Sequence, residues 1–175
     1  MKILSLCITL LWITVTHCFE ECNFNFMPLP RLCNISQTRS PVLVNPCNLI
    51  FDFKGVIHHS EPIEEIIMQY SKTVYKCKEH SFKIFYNENN TTANYLNPYI
   101  VKITIADSTV RSVFTTQEEY YTMNISKTET NITAETYVAF LRAFETFSQA
   151  FNCSRSRLDT SCALTNLPIF IEDKP

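Results

Sequence analysis

The chain has 175 residues, 46% of them hydrophobic and 18% charged, with a net charge of −2, one glycine and eight cysteines. This composition fits one compact domain and excludes a disordered or coiled-coil chain. The lone glycine, Gly55, removes phosphate-cradling loops, dinucleotide fingerprints and the nucleophile elbow, and the lack of any basic block makes nucleic acid and anionic membrane poor partners.

At the start of the chain, Lys2 precedes an apolar run over residues 3–15 that closes on Thr16-His17-Cys18. This is the pattern of a secretory signal, and it falls short of the 18 or so apolar residues that a bilayer span needs. The expected organisation is a signal peptide over residues 1–18 and a single secreted domain over 19–175, with an extracellular location.

Residues 19–48 are expected to be irregular, because Pro28, Pro30, Pro41 and Pro46 interrupt regular elements. A strand follows over 49–57, around Phe51 and Phe53, ending near Gly55. Ser60 and Pro62 then open a helix near 61–75, with Ile63, Ile66, Ile67, Tyr70 and Val74 on its buried face. The period changes to two over residues 82–86 and again at Tyr99, Val101, Ile103 and Ile105. Asp107-Ser108-Thr109 is expected to turn that strand into a second one over 110–116, forming a hairpin near 99–116, with a third strand over 120–125. Tyr137, Phe140, Leu141, Phe144, Phe147 and Phe151 define a helix near 133–151, capped by Asn131 or Thr133. The fold class is therefore α+β, with an antiparallel sheet, two amphipathic helices and disulfide staples.

Loss of the signal would leave Cys22, Cys33, Cys47, Cys77, Cys153 and Cys162, an even set that predicts three bridges in an oxidising compartment. At least one bridge is expected to tie the N-terminal segment to Cys153 or Cys162. No Cys-x-x-Cys pair exists, so neither a metal site nor any other cofactor is expected. Asn34, Asn89, Asn90, Asn124, Asn131 and Asn152 each begin an Asn-x-Ser/Thr glycosylation acceptor, which predicts outward faces around 89–92 and 124–133.

Catalytic constellations are sparse. His58 and His59 are adjacent on an extended segment and cannot chelate well, and His80 stands alone. Asp52, Asp107, Asp159 and Asp173 are scattered, while Glu64-Glu65 and Glu118-Glu119 read as exposed charge. The only tryptophan, Trp12, lies in the signal segment, which removes the immunoglobulin core signature. These features favour a secreted non-enzymatic glycoprotein that acts by binding other secreted or membrane-anchored glycoproteins or a host receptor, without nucleic acid and without a membrane span of its own. The alternatives are an immune-evasion decoy for a host cytokine or receptor and a small secreted hydrolase with a histidine base.

Phe19-Glu20-Glu21-Cys22, followed by Pro28, Pro30, Arg31 and Cys33, resembles the start of the small secreted accessory glycoproteins that betaherpesviruses attach to glycoproteins H and L. The resemblance implies a viral protein of the virion envelope, with a role in receptor engagement and cell tropism. The partner surface is expected at Phe24, Phe26, Met27 and Leu29, with Ile169, Phe170 and Ile171 as a second apolar stretch, since both lack acceptor sites.

Overall fold

The computed structural model describes residues 20–21, 30–35, 41–55, 60–77, 82–87, 98–107, 119–153 and 162–174. In chain order the elements are β1 (Glu20–Glu21), β2 (Leu32–Ile35), β3 (Val42–Val44), a 3-10 turn (Pro46–Asn48), β4 (Ile50–Lys54), α1 (Ser60–Thr73), β5 (Lys83–Asn87) and β6 (Ile100–Asp107). They continue with β7 (Tyr121–Ile125), β8 (Glu129–Thr136), α2 (Tyr137–Gln149), β9 (Asn152–Cys153), β10 (Cys162–Leu164) and β11 (Ile169–Asp173). Eight strands form one sheet in the order β1-β2-β11-β7-β8-β6-β4-β5, and β3-β10-β9 form a small second sheet.

The α+β class is what the structure has, and its large sheet is mixed. β4 runs parallel to β5 and β6, and β6 runs parallel to β8, whereas β7, β11 and β2 pair antiparallel. β6 therefore lies between two parallel neighbours, and the second strand of the expected hairpin, over 110–116, lies outside the described residues. The stretch expected to be irregular contributes β1, β2 and β3. Its prolines do not prevent this: Pro30 and Pro41 precede strands and Pro46 opens the 3-10 turn, so no ladder N–H is lost.

Alternation along the strands produces two unlike faces. Phe51, Val101, Thr130, Ile125, Ile169 and Ile35 stand in one cross-strand row and are all buried. This face carries the helices: Phe51 meets Phe144 of α2 edge-on with ring centroids 5.8 Å apart, and Phe53 meets Phe140 at 5.7 Å. The opposite face has no helix against it among the described elements. Its row, one residue along, is Asp52, Lys102, Asn131, Asn124, Phe170 and Asn34.

The aromatic stripe of α2 is core. Phe140, Phe144 and Phe147 are essentially fully buried, and Tyr70 of α1 packs edge-on against Phe144 at 5.0 Å. Its cap differs from expectation: Thr136 accepts from the Ala139 N–H at 3.1 Å, while Asn131 and Thr133 lie inside β8. The strand pattern of Thr130, Ile132 and Ala134 continues until one residue before the helix, so the start falls at 137 and the end at 149. On α1, Ile63 and Ile67 are buried as expected, but Val74 lies beyond the helix and is 47% exposed. Ser71 takes the buried position there, its hydroxyl satisfied by donation to the Ile67 carbonyl at 2.9 Å.

Two disulfides are fully placed. Cys47–Cys77 joins the 3-10 turn to the segment after α1, and Cys153–Cys162 joins β9 to β10. The expected tie from the N-terminal segment to Cys153 or Cys162 is absent, because strand pairing sets these two cysteines directly opposite each other. Cys33 is also disulfide-bonded.

Candidate functional site

Ligands of open sheets with parallel strands bind most often beyond the carboxyl ends of those strands, and here that edge gathers acidic side chains. Asp107 ends β6, Glu135 and Thr136 end β8, Glu172 and Asp173 end β11, and Glu119 leads into β7. Glu119 was expected on the surface, yet it is buried, and its carboxylate pairs with the Arg142 guanidinium from α2. The one signal in the sequence is Arg142 itself, the single cation of α2, but Glu145 on the same helix is an equally good anionic partner by sequence, so only the fold singles out Glu119.

The neighbouring residues lock this edge. The Tyr120 hydroxyl donates to Glu172 at 3.3 Å, and its carbonyl accepts the Glu135 N–H at 3.0 Å. The buried Tyr121 hydroxyl lies 2.8 Å from Thr146 Oγ1, and Thr146 donates its proton to the Arg142 carbonyl at 3.1 Å, so Tyr121 is the donor of the pair. Burial pushes the Tyr121 phenol up to about 12, and the negative charge of Asp173 adds to the shift. Asp173, also buried, accepts the Arg31 N–H at 3.0 Å and so fixes where β2 begins. Glu119, Glu172 and Asp173 are thus each engaged by a neighbour, which suits them to holding strand ends together.

A groove of about 460 Å³ lies at the other end of the sheet, lined by Leu43, Asn45, Asn48, Tyr99, Lys127 and Glu129 among others. Tyr99 closes its floor: the hydroxyl donates to the Ser126 carbonyl at 3.0 Å and lies 2.9 Å from the fully buried Thr130 hydroxyl, which is satisfied there. Burial pushes this phenol up to about 12. Glu129 accepts from Lys102 Nζ at 2.6 Å and from Asn131 Nδ2 at 3.0 Å, and these bonds, Lys102 first, hold its carboxyl below the usual range. A carboxyl held low is a poor proton donor, so Glu129 is unsuited to general-acid work and suited to accepting hydrogen bonds.

That shift has a measurable consequence. A carboxyl whose folded-state value is depressed stabilises the fold above its unfolded value of about 4.3 and loses that contribution as pH falls through the folded value. Replacing Lys102 with Met is expected to cost about 0.5 kcal/mol at neutral pH, solvent screening the partly exposed pair, and nothing once Glu129 is protonated. Chemical denaturation of both proteins across pH reads this; a cost that persists in acid would show that Lys102 acts through packing.

Several residues singled out from the sequence fall outside the described residues: Cys22, Phe24, Phe26, Met27, Leu29, His58, His59, His80, Asn89 and Asn90. Of the second apolar stretch, Ile169 and Ile171 are buried in β11, an interior strand, and only Phe170 is partly open, at 38%. Asn34, Asn124 and Asn131 stand together on the open face, and Asn152 is exposed on β9. Among the described residues no group of three or more His, Cys, Asp or Glu could hold a metal ion, and no helix is long and apolar enough to cross a membrane.

Comparison with known proteins bears on these sites. Residues 26–150 match the family described as beta-acetyl hexosaminidase like. No curated protein matches the chain. The fold is similar to the X-ray structure of Flavobacterium johnsoniae chitobiase, with a TM-score of 0.61 and 14% identity over 87% of this chain and 21% of that one. It is also similar to the GH20 exo beta-N-acetylglucosaminidase from Vibrio harveyi in complex with N-acetylglucosamine, with a TM-score of 0.51 and 13% identity over 85% of this chain and 18% of that one. The chain therefore spans about a fifth of the length of these structures. The family match overturns the expectation of a betaherpesvirus accessory glycoprotein, and with it the viral, virion-envelope and host–virus readings. It equally overturns the expectation of a non-enzymatic protein and moves the weight to the hydrolase alternative, whose histidine base finds no support. The physical reason is plain: the resemblance rested on about fifteen residues at the N-terminus, whereas the match covers both helices and most of the large sheet.

Proposed function

Since the chain belongs to the beta-acetyl hexosaminidase-like family, we propose that it forms the α+β part of a glycoside hydrolase that releases N-acetylhexosamine from glycans. The observation that carries this reading is the match over residues 26–150, from ahead of β2 through the end of α2. The similarity of fold to a chitobiase and to an exo beta-N-acetylglucosaminidase supports it and suggests the substrate class. In this reading the domain's partner is the rest of such an enzyme, and the helix-buried core and the locked strand ends hold a rigid body for it. The signal-like segment over residues 1–18 and the disulfides support passage through the secretory lumen and an extracellular location.

Hydrolases of family 20 are substrate-assisted: the acetamide of the sugar serves where other glycosidases place a second carboxylate. The substrate must then carry that acetamide, which provides the test. The protein, purified without denaturation from the cells that make it, is expected to hydrolyse 4-nitrophenyl N-acetyl-β-glucosaminide and to leave 4-nitrophenyl β-glucoside intact. Equal rates on both substrates, or no release from the acetamido sugar above the blank, would overturn the proposal.

A further inference from the structure

The open face of the large sheet carries an arrangement that the hydrolase reading does not use. Three of the acceptor asparagines, Asn34 on β2, Asn124 on β7 and Asn131 on β8, fall in a single cross-strand row. Each belongs to an Asn-x-Ser/Thr triplet: Asn34-Ile35-Ser36, Asn124-Ile125-Ser126 and Asn131-Ile132-Thr133. The middle residue is an isoleucine in all three, and alternation turns each isoleucine into the buried face while its asparagine points away from the helices.

The spacings within the row are unequal. Asn124 and Asn131 are direct cross-strand partners, and side chains so placed have Cβ atoms about 4.5–5.5 Å apart. Asn34 is separated from Asn124 by β11, hence by two strand spacings of about 4.8 Å each. The closer spacing is narrower than two hydrated sugars side by side, and the wider one admits both. Between Asn34 and Asn124 in the row stands Phe170, the open aromatic of β11, where the first sugar of either chain would cover its ring.

We infer that this face is a glycan-bearing surface with two sugars: one on Asn34, and a single one shared between the opposed pair Asn124 and Asn131. Glu129 orients one of the two alternatives. Its Oε1 accepts from Asn131 Nδ2 at 3.0 Å, and a glycosylated amide keeps one N–H, so a bond of this kind remains available after modification wherever the retained hydrogen faces Glu129. A face so covered is closed to protein contact, which leaves the helix side and the strand ends for association.

The experiment is site counting on the full chain secreted from a eukaryotic cell. Enzymatic deglycosylation in heavy-oxygen water converts each occupied asparagine to labelled aspartate, and chymotrypsin keeps both members of the pair on one peptide over residues 122–137. One label on that peptide, together with a label at Asn34, is the expected result. Two labels on the peptide, none on it, or an unlabelled Asn34 would overturn the inference. In Asn131→Gln the single label is expected to move to Asn124 at nearly full occupancy, whereas an Asn124 that stays empty in that variant would remove the competition between the two sites.

Discussion

Phe144→Ala is expected to destabilise the domain by about 3–5 kcal/mol, the usual cost of deleting a fully buried phenylalanine. Phe144 is 1% exposed and stands at the centre of the aromatic cluster. It meets Phe51 of the sheet at 5.8 Å, Tyr70 of α1 at 5.0 Å, and Phe140 and Phe147 of its own helix at 5.8 and 6.3 Å. The substitution thus opens a cavity where both helices and the sheet meet, and none of the neighbours can close it alone. Domains of this size have about 5–15 kcal/mol in all, so the secreted yield should fall sharply. The denaturation midpoint of the secreted fraction reads the loss directly, with the slope unchanged. Phe144→Leu, which keeps most of the volume, should cost much less. A loss below about 1 kcal/mol for the alanine variant would mean that α2 does not rest on the sheet through this residue.

Removing the Cys47–Cys77 bridge by paired serine substitution is expected to cost more than removing Cys153–Cys162. The first spans 30 residues and the second 9. Loop-closure entropy alone puts the two at about 3.6 and about 2.6 kcal/mol. The longer loop also contains β4 and α1, so its bridge restrains the unit on which the parallel part of the sheet is built. The shorter one staples two strands that pairing already holds in register, Cys162 opposite Cys153. Denaturation midpoints of the two double variants decide the matter. The reverse order would show that the small sheet, and not the β4-α1 unit, depends most on its staple.

The elements most legible in the sequence were those whose burial is local. The stripe Phe140, Phe144 and Phe147 lies on one side of any helix drawn through it, and Val101, Ile103 and Ile105 on one side of any strand. Boundaries were less legible where two periodic patterns abut, as at Thr136, where β8 passes into α2 without a loop. Of the site, the acceptor triplets and the cysteines were readable as types. The engagement of Glu119 by Arg142 and of Asp173 by the Arg31 amide was not, because each joins residues distant along the chain and Glu119 carries no local mark of burial.

The order of residues by itself therefore determined the two helices and the strands β4 to β7, through periodicities of 3.6 and two that depend only on neighbours along the chain, but not β2 and β3 in the proline-bearing stretch or β8 ahead of α2. It also determined which asparagines can accept a sugar. Tertiary structure alone decided that β4 pairs in parallel with β6 fifty residues on, Ile50 facing Ile100, and that three acceptor asparagines from three strands fall into one row. Strand register is set by burying one face of a whole sheet at once, and no local pattern records which distant strand will supply the partner.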